Sequence, residues 1–208
     1  IITAGSDSKM YDGTALTKDS FTYTEDVLAD GDVLTAVISG SITDVGTTAN
    51  KVASYQVLRN GDNVTANYTC GDSVDGTLEV TKRDVTLTSS TDSKVDDGTA
   101  LTNSTVTVGG SGFAAGEGAS YDVTGRQLDV GTTKNTFTYT LSGNTKAGNY
   151  TITKEEGTLT VTKNAEVIII TAASDTKKYD GTALTNNGYT YTQGILVPGD
   201  VLTAVVEG

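Results

Sequence analysis

Histidine and tryptophan are absent from this 208-residue chain, and cysteine, proline and methionine each occur once. Without histidine there is no Ser-His-Asp or Cys-His relay and no histidine-bearing zinc site. A single thiol, Cys70, closes no intrachain disulfide and builds no four-cysteine zinc site. No Walker A or dinucleotide fingerprint occurs. Gly109-Gly110-Ser111-Gly112 is rich in glycine but opens no helical pattern, so it reads as a loop. Positive charge is scarce too: 14 Lys and Arg stand against 26 Asp and Glu, a net charge of −12. Such a surface repels phosphate backbones and anionic lipid, so neither nucleic acid nor membrane insertion is expected. No apolar run approaches the roughly 18 residues of a membrane helix. The most apolar, Val167 to Ile170, is strand-sized.

What is present is repetition. Tyr11-Asp12-Gly13-Thr14-Ala15-Leu16-Thr17 returns as Asp96-Asp97-Gly98-Thr99-Ala100-Leu101-Thr102 and as Tyr179-Asp180-Gly181-Thr182-Ala183-Leu184-Thr185. The period exceeds the 20–50 residues of solenoid repeats and suits a string of whole domains. Other landmarks keep step. Gly31-Asp32-Val33-Leu34-Thr35-Ala36-Val37 is repeated verbatim at Gly199 to Val205, and Asp44-Val45-Gly46-Thr47 returns as Asp129-Val130-Gly131-Thr132. Each of two copies closes on Gly-Thr-Leu-x-Val-Thr-Lys, at Gly76–Lys82 and Gly157–Lys163. The expected domains are 1–83, 84–164 and 165–208, the last being the first half of a third copy.

Periods of two dominate and no helical period appears over ten residues. Expected strands include Ile1–Ala4, Phe21–Thr24, Val33–Ser39, Ala53–Leu58, Val64–Thr69, Gly76–Lys82, Thr136–Leu141 and, in the third copy, Gly199–Val205. Ser6-Asp7-Ser8-Lys9 and its counterparts read as polar turns. Asp-Gly and Asn60-Gly61 read as turns because glycine accepts positive φ and Asp or Asn tolerates it. The class is therefore all-β: tandem small β-sandwiches, immunoglobulin-like, in an elongated rod. A β-grasp-like unit is the alternative, disfavoured by the missing helix.

Site candidates are weighed against plainer roles. Asp12, Asp30, Asp32 and Asp44 are hard oxygen donors in turns and so the calcium candidates, but no EF-hand or dense Asp-x-Asp-x-Asp loop holds them. The plainer role is turn formation, and no cofactor is expected. Tyr11 and Tyr179, with Asp12, Gly13, Asp97, Gly98, Asp180 and Gly181, form the structural motif, the tyrosine capping a core at a domain end. Asp96 replaces it in the second copy, which then needs a different plug. Lys9, Lys94 and Lys177 share one position; a covalent bond from Lys to Asn67 or Asn149 is conceivable, a solvated turn lysine plainer. Cys70 stands where the second copy has Ile152 and reads as a small buried hydrophobe. Paired carboxylates could serve glycoside hydrolysis, but a catalytic pair copied in every unit of an array is not expected. The chain is read as non-enzymatic.

Lys-x-Tyr-Asp-Gly-Thr, Gly-Asp-x-Leu, Asp-Val-Gly-Thr, Asn-Tyr and Gly-Thr-Leu-x-Val-Thr-Lys, in that order, resemble the YDG/MBG-type tandem repeat domains of bacterial surface proteins and adhesins. The resemblance spans the chain. It departs at Asp96 and where Glu117-Gly118-Ala119-Ser120 replaces Asp-Val-Leu-Thr. It implies a secreted protein attached to the cell surface or wall, built of β modules, and it carries over no catalytic residue. The functional expectation is a structural stalk whose partners are the neighbouring copies. Direct binding of a host or matrix glycan or glycoprotein, and self-assembly into an extracellular filament, are the alternatives.

Overall fold

The computed structural model describes residues 1–24 and 27–207. Gly208, the last residue of the expected third domain, lies outside them. The described chain is all-β. Its strands are β1 (Ile2–Ala4), β2 (Asp7–Met10), β3 (Phe21–Tyr23), β4 (Asp32–Ser39), β5 (Gly46–Arg59), β6 (Asp62–Asn63), β7 (Gly76–Thr81), β8 (Arg83–Ser89), β9 (Asp92–Val95), β10 (Val106–Gly110), β11 (Ala119–Val123), β12 (Gly131–Lys134), β13 (Phe137–Leu141), β14 (Tyr150–Glu155), β15 (Thr158–Thr162), β16 (Ile170–Ala172) and β17 (Tyr189–Tyr191). Two 3-10 turns, Thr65–Asn67 and Ala147–Asn149, are the only helical pieces among the described residues. No helix is long and apolar enough to cross a membrane.

The chain divides into two compact units. One comprises Ile1–Leu87, Val108–Tyr121 and Tyr139–Glu155; the other comprises Thr88–Thr107, Asp122–Thr138 and Glu156–Gly208. In the first, β1 pairs with β3, and a five-stranded sheet runs β2-β7-β5-β4, with β6 added to β5. Its apolar centre is Ile2, Leu34 and Val57, packed by Phe21, Leu28, Ala36, Val52, Val64 and Tyr68. In the second, β12-β15-β9 and β16-β17 form sheets, and Leu101, Leu159 and Val161 cluster. Leu78 and Leu159, the matching leucines of the closing strands, are wholly buried. Such burial contributes about 1.5–3 kcal/mol per side chain.

The first and second copies share one register. β2 runs parallel to β7 with Asp7 opposite Leu78, and β9 runs parallel to β15 with Asp92 opposite Leu159. β7 also pairs antiparallel with β5, Gly46 opposite Val80, as β15 does with β12, Gly131 opposite Val161. A buried asparagine locks each copy. Asn50 Nδ2 donates to the carbonyls of Gly5 (2.8 Å) and Lys18 (2.7 Å); Asn135 Nδ2 donates to those of Ser90 and Asn103, both at 2.9 Å. Gly40 and Gly125 make room for them, since a Cβ there would lie 2.5 and 2.2 Å from the asparagine Oδ1.

Four expectations are corrected. Ser6 to Lys9 is no turn: Asp7–Met10 is a strand, hidden by its polar composition because only alternate residues are half-buried. Val64–Thr69 is not a strand; Asn63 Oδ1 accepts the N–H (3.0 Å) and hydroxyl (2.7 Å) of Thr65 and starts a 3-10 turn instead. Cys70 is exposed, because the first copy has no strand after that turn where the second has β14. Gly199–Val205 contains no strand. The identical residues in the first copy are extended by pairing Val33–Val37 with Leu58–Ser54. Strand formation thus follows the partner, not the heptapeptide.

Candidate functional site at the junction between copies

The Tyr-Asp-Gly turn is built locally. Asp12 Oδ1 accepts the N–H (2.9 Å) and hydroxyl (2.7 Å) of Thr14 and the Lys9 ammonium (2.7 Å). Gly13 completes it at φ +83°, where a side chain would be strained. Asp97 repeats these bonds with Thr99 and Lys94, and Asp180 with Thr182 and Lys177. The lysine hydrogen bond, then the threonine donors, hold the Asp12 and Asp97 carboxyls far below the usual range, and Asp180 is lowered by the same partners. The three lysines are therefore staples of their own turns. Lys9 contacts Asp12 and Thr14, and its bonds engage neither Asn67 nor Asn149.

The turn of the first copy is received by the second, inside the first compact unit. The Tyr11 hydroxyl donates to Glu117 Oε1 at 2.5 Å, and the Tyr150 hydroxyl donates to Oε2 at 2.8 Å while accepting the Ala114 N–H at 3.0 Å. The two tyrosine rings meet edge to face at 5.5 Å, and Phe113 stands edge-on to Tyr150 at 5.3 Å. Tyr11, Tyr150 and Ala114 are all buried. The bond to Glu117 and then burial raise the Tyr11 phenol; burial foremost pushes Tyr150 up to about 12. Both hydroxyls stay protonated, as donors to a carboxylate must.

A second contact flanks the first. Asp44 accepts the Lys146 ammonium at 2.5 Å and Asn149 Nδ2 at 2.9 Å, and Asn149 Oδ1 accepts the Val45 N–H at 2.9 Å. Lys146, then Asn149, lower the Asp44 carboxyl. Arg83, the first residue of β8, donates to the carbonyls of Gly112 (2.7 Å) and Ser111 (2.5 Å). The polar groups of this junction are thus met in pairs, which a buried contact requires.

The first copy carries the same receiving residues with one change. Asp32 stands 20 residues after Asp12, as Glu117 does after Asp97 and Asp200 after Asp180. The Tyr68 hydroxyl donates to Asp32 and accepts the Ala29 N–H at 2.9 Å, as Tyr150 does with Glu117 and Ala114. Here, however, Arg59 also holds Asp32 through Nε (2.6 Å) and Nη2 (2.9 Å). Thr35 bonds the carbonyl of Gln56 as Ser120 bonds that of Thr140, a register that puts Gly143 where the first copy has Arg59. Without that arginine, Glu117 is left to take Tyr11.

Of the expected motif residues, Tyr11, Asp12 and Gly13 lie at this junction. Gly98, in the second compact unit, lies against the third copy: a Cβ on it would be 3.3 Å from the Pro198 carbonyl oxygen. Tyr179, Asp180 and Gly181 form an exposed turn, with Tyr179 96% exposed against 4% for Tyr11. The calcium candidates are not brought together. Asp12, Asp32 and Asp44 each hold a lysine or arginine, Asp30 is exposed, and no group of three or more metal-ligating side chains gathers among the described residues. The sequence reading gave no junction role to Glu117, Tyr150 or the two buried asparagines, and Asn149 entered it only as a conceivable lysine partner. Their signal was the departure at Glu117–Ser120 and the equal spacing of Asn50 and Asn135.

No family model, no curated protein and no solved structure matches the chain.

Proposed function

We propose that this chain is a stretch of stalk repeats from a bacterial cell-surface adhesin, a spacer that holds an adhesive part away from the cell. The observation that carries the reading is the Tyr11–Glu117–Tyr150 junction. Its aromatic rings and charges are spent on joining one copy to the next, as a load-transmitting array needs. The connection between β7 and β8 is a single residue, Lys82, which limits hinging there. In this reading each copy is a small immunoglobulin-like sandwich, successive copies form a rod, and the protein works outside the cell, anchored to its surface or wall. The parallel pairing of an early strand with the closing strand in both copies supports a repeated unit.

The test is twofold. Small-angle X-ray scattering on arrays of two, three and four copies gives a maximum dimension that rises linearly with copy number. On glycan and mucin arrays the 208-residue chain gives no saturable signal. A saturable signal that survives salt moves the function to ligand binding, and a dimension that fails to grow removes the spacer.

A further inference from the structure

The first two copies each join an early strand to the closing one in parallel. In the first compact unit β2 runs beside β7 over four register pairs, from Asp7 opposite Leu78 to Met10 opposite Thr81. The contact continues past both ends. Upstream, the Val74 N–H donates to the Ile2 carbonyl (2.8 Å) and the Ala4 N–H donates to the Val74 carbonyl (2.9 Å). Downstream, the Tyr11 N–H donates to the Thr81 carbonyl (2.9 Å). In the second unit β9 pairs with β15 in the same way, from Asp92 opposite Leu159 to Val95 opposite Thr162. There the Asp96 N–H donates to the Thr162 carbonyl at 2.8 Å. Leu78, Val80, Leu159 and Val161 in the closing strands are buried, and hydrogen bonds are electrostatically stronger in such surroundings than in water. Parallel pairing is slightly weaker per residue than antiparallel pairing and needs a long crossover. What sets this pair apart is its response to the direction of a pull.

We propose that each parallel pair is a shear clamp, which makes the copies load-bearing under tension along the chain. Such tension draws β2 toward its N-terminus and β7 toward its C-terminus. Because the strands are parallel, the two pulls oppose each other along one axis. The strands have to slide, and every bond between them is loaded at once. Pulled apart from one end, the same bonds open singly. β9 and β15 repeat the arrangement. The load leaving β7 passes through Lys82 alone into β8, the first strand of the next copy. The clamp rests on the spacer reading for its use, since a stalk is pulled end to end, but not for its geometry.

Single-molecule force spectroscopy on the full chain tests this in two directions. Held by its two termini, the chain is expected to rupture in two events. Each frees the residues between the paired strands, Asp7 to Thr81 or Asp92 to Thr162, and lengthens the tether by about 250 Å. Held by the N-terminus and the native thiol of Cys70, which is exposed, the same chain is loaded sideways. Both attachment points lie upstream of the clamp and side by side, since a Cβ on Gly71 would be 3.8 Å from the Ile1 side chain. Here β2 peels from β7 at about half the end-to-end force or less, the pairs yielding one at a time. Neither arm needs a substitution, so no folding defect enters the comparison. Equal or greater force in the sideways pull, or an end-to-end trace without the two lengthenings, overturns the clamp. Either result leaves the spacer reading standing, since array dimensions and ligand screens decide that.

Discussion

The hydroxyl of Tyr11 reaches Glu117 Oε1 at 2.5 Å across 106 residues of sequence. The bond is made by two residues that no single copy contains. Removing either partner therefore tests the junction rather than the fold of one copy. Tyr11→Phe leaves one carboxylate oxygen without its donor and is expected to cost about 1–3 kcal/mol. Tyr11→Ala also opens a cavity and is expected to cost about 3–5 kcal/mol. Urea unfolding followed by tyrosine fluorescence measures both.

Alkali is expected to loosen the same junction. The Tyr11 and Tyr150 phenols have folded pKa values raised above the unfolded value of about 10. Their contribution is complete below the unfolded pKa and is lost as pH rises through the folded one, about 12 for Tyr150. Thermal melts between pH 9 and pH 12 should show a fall in stability that the Tyr11→Phe, Tyr150→Phe double variant lacks. At the acid end the sign reverses. Asp12, Asp44 and Asp97 are lowered by their lysines, so their share is present above the unfolded carboxylate pKa and is lost as pH falls.

Asn50 and Asn135 each hold two backbone carbonyls from inside a copy. Asn50→Ala orphans both acceptors and is expected to destabilise by about 2–4 kcal/mol. Asn67→Ala, at an exposed turn position, should cost under about 1 kcal/mol. Equal losses at the two positions would contradict the lock described for Asn50. Denaturant midpoints decide between them.

Cys70 is exposed, and a thiol-specific chromogenic reagent is expected to label it fully in the native protein without denaturant. Protection that ends only on unfolding would return Cys70 to the interior.

How much could be read from the residues alone divides by distance. Alternation found β3, β4, β7, β13 and β15, because one wet face and one dry face leave a period of two in the letters. The Asp-Gly turns were legible because their bonds close within three residues, as Asp12 with Thr14 shows. β2 was missed because its pairing partner is 71 residues away, Asp7 against Leu78, and its own side chains are polar. Gly199–Val205 was misread for the opposite reason: the letters match those of β4, but among the described residues no strand pairs with them as β5 pairs with β4. The junction was half legible. Tyr11 stood out as a repeated aromatic, whereas Glu117 showed only as a break in the pattern, and nothing local says that the break receives the tyrosine.

Asp96 stands in the second copy where Tyr11 stands in the first, and Asp200 stands in the third where Glu117 stands in the second. The modules are therefore not interchangeable beads. Duplicating the second copy would set an aspartate against a glutamate, and moving the third ahead of the first would leave a phenol facing an arginine, so the order along the chain is written into its contact residues. Recombination between such similar stretches of gene would be filtered by neighbour compatibility, even where each module on its own still folds.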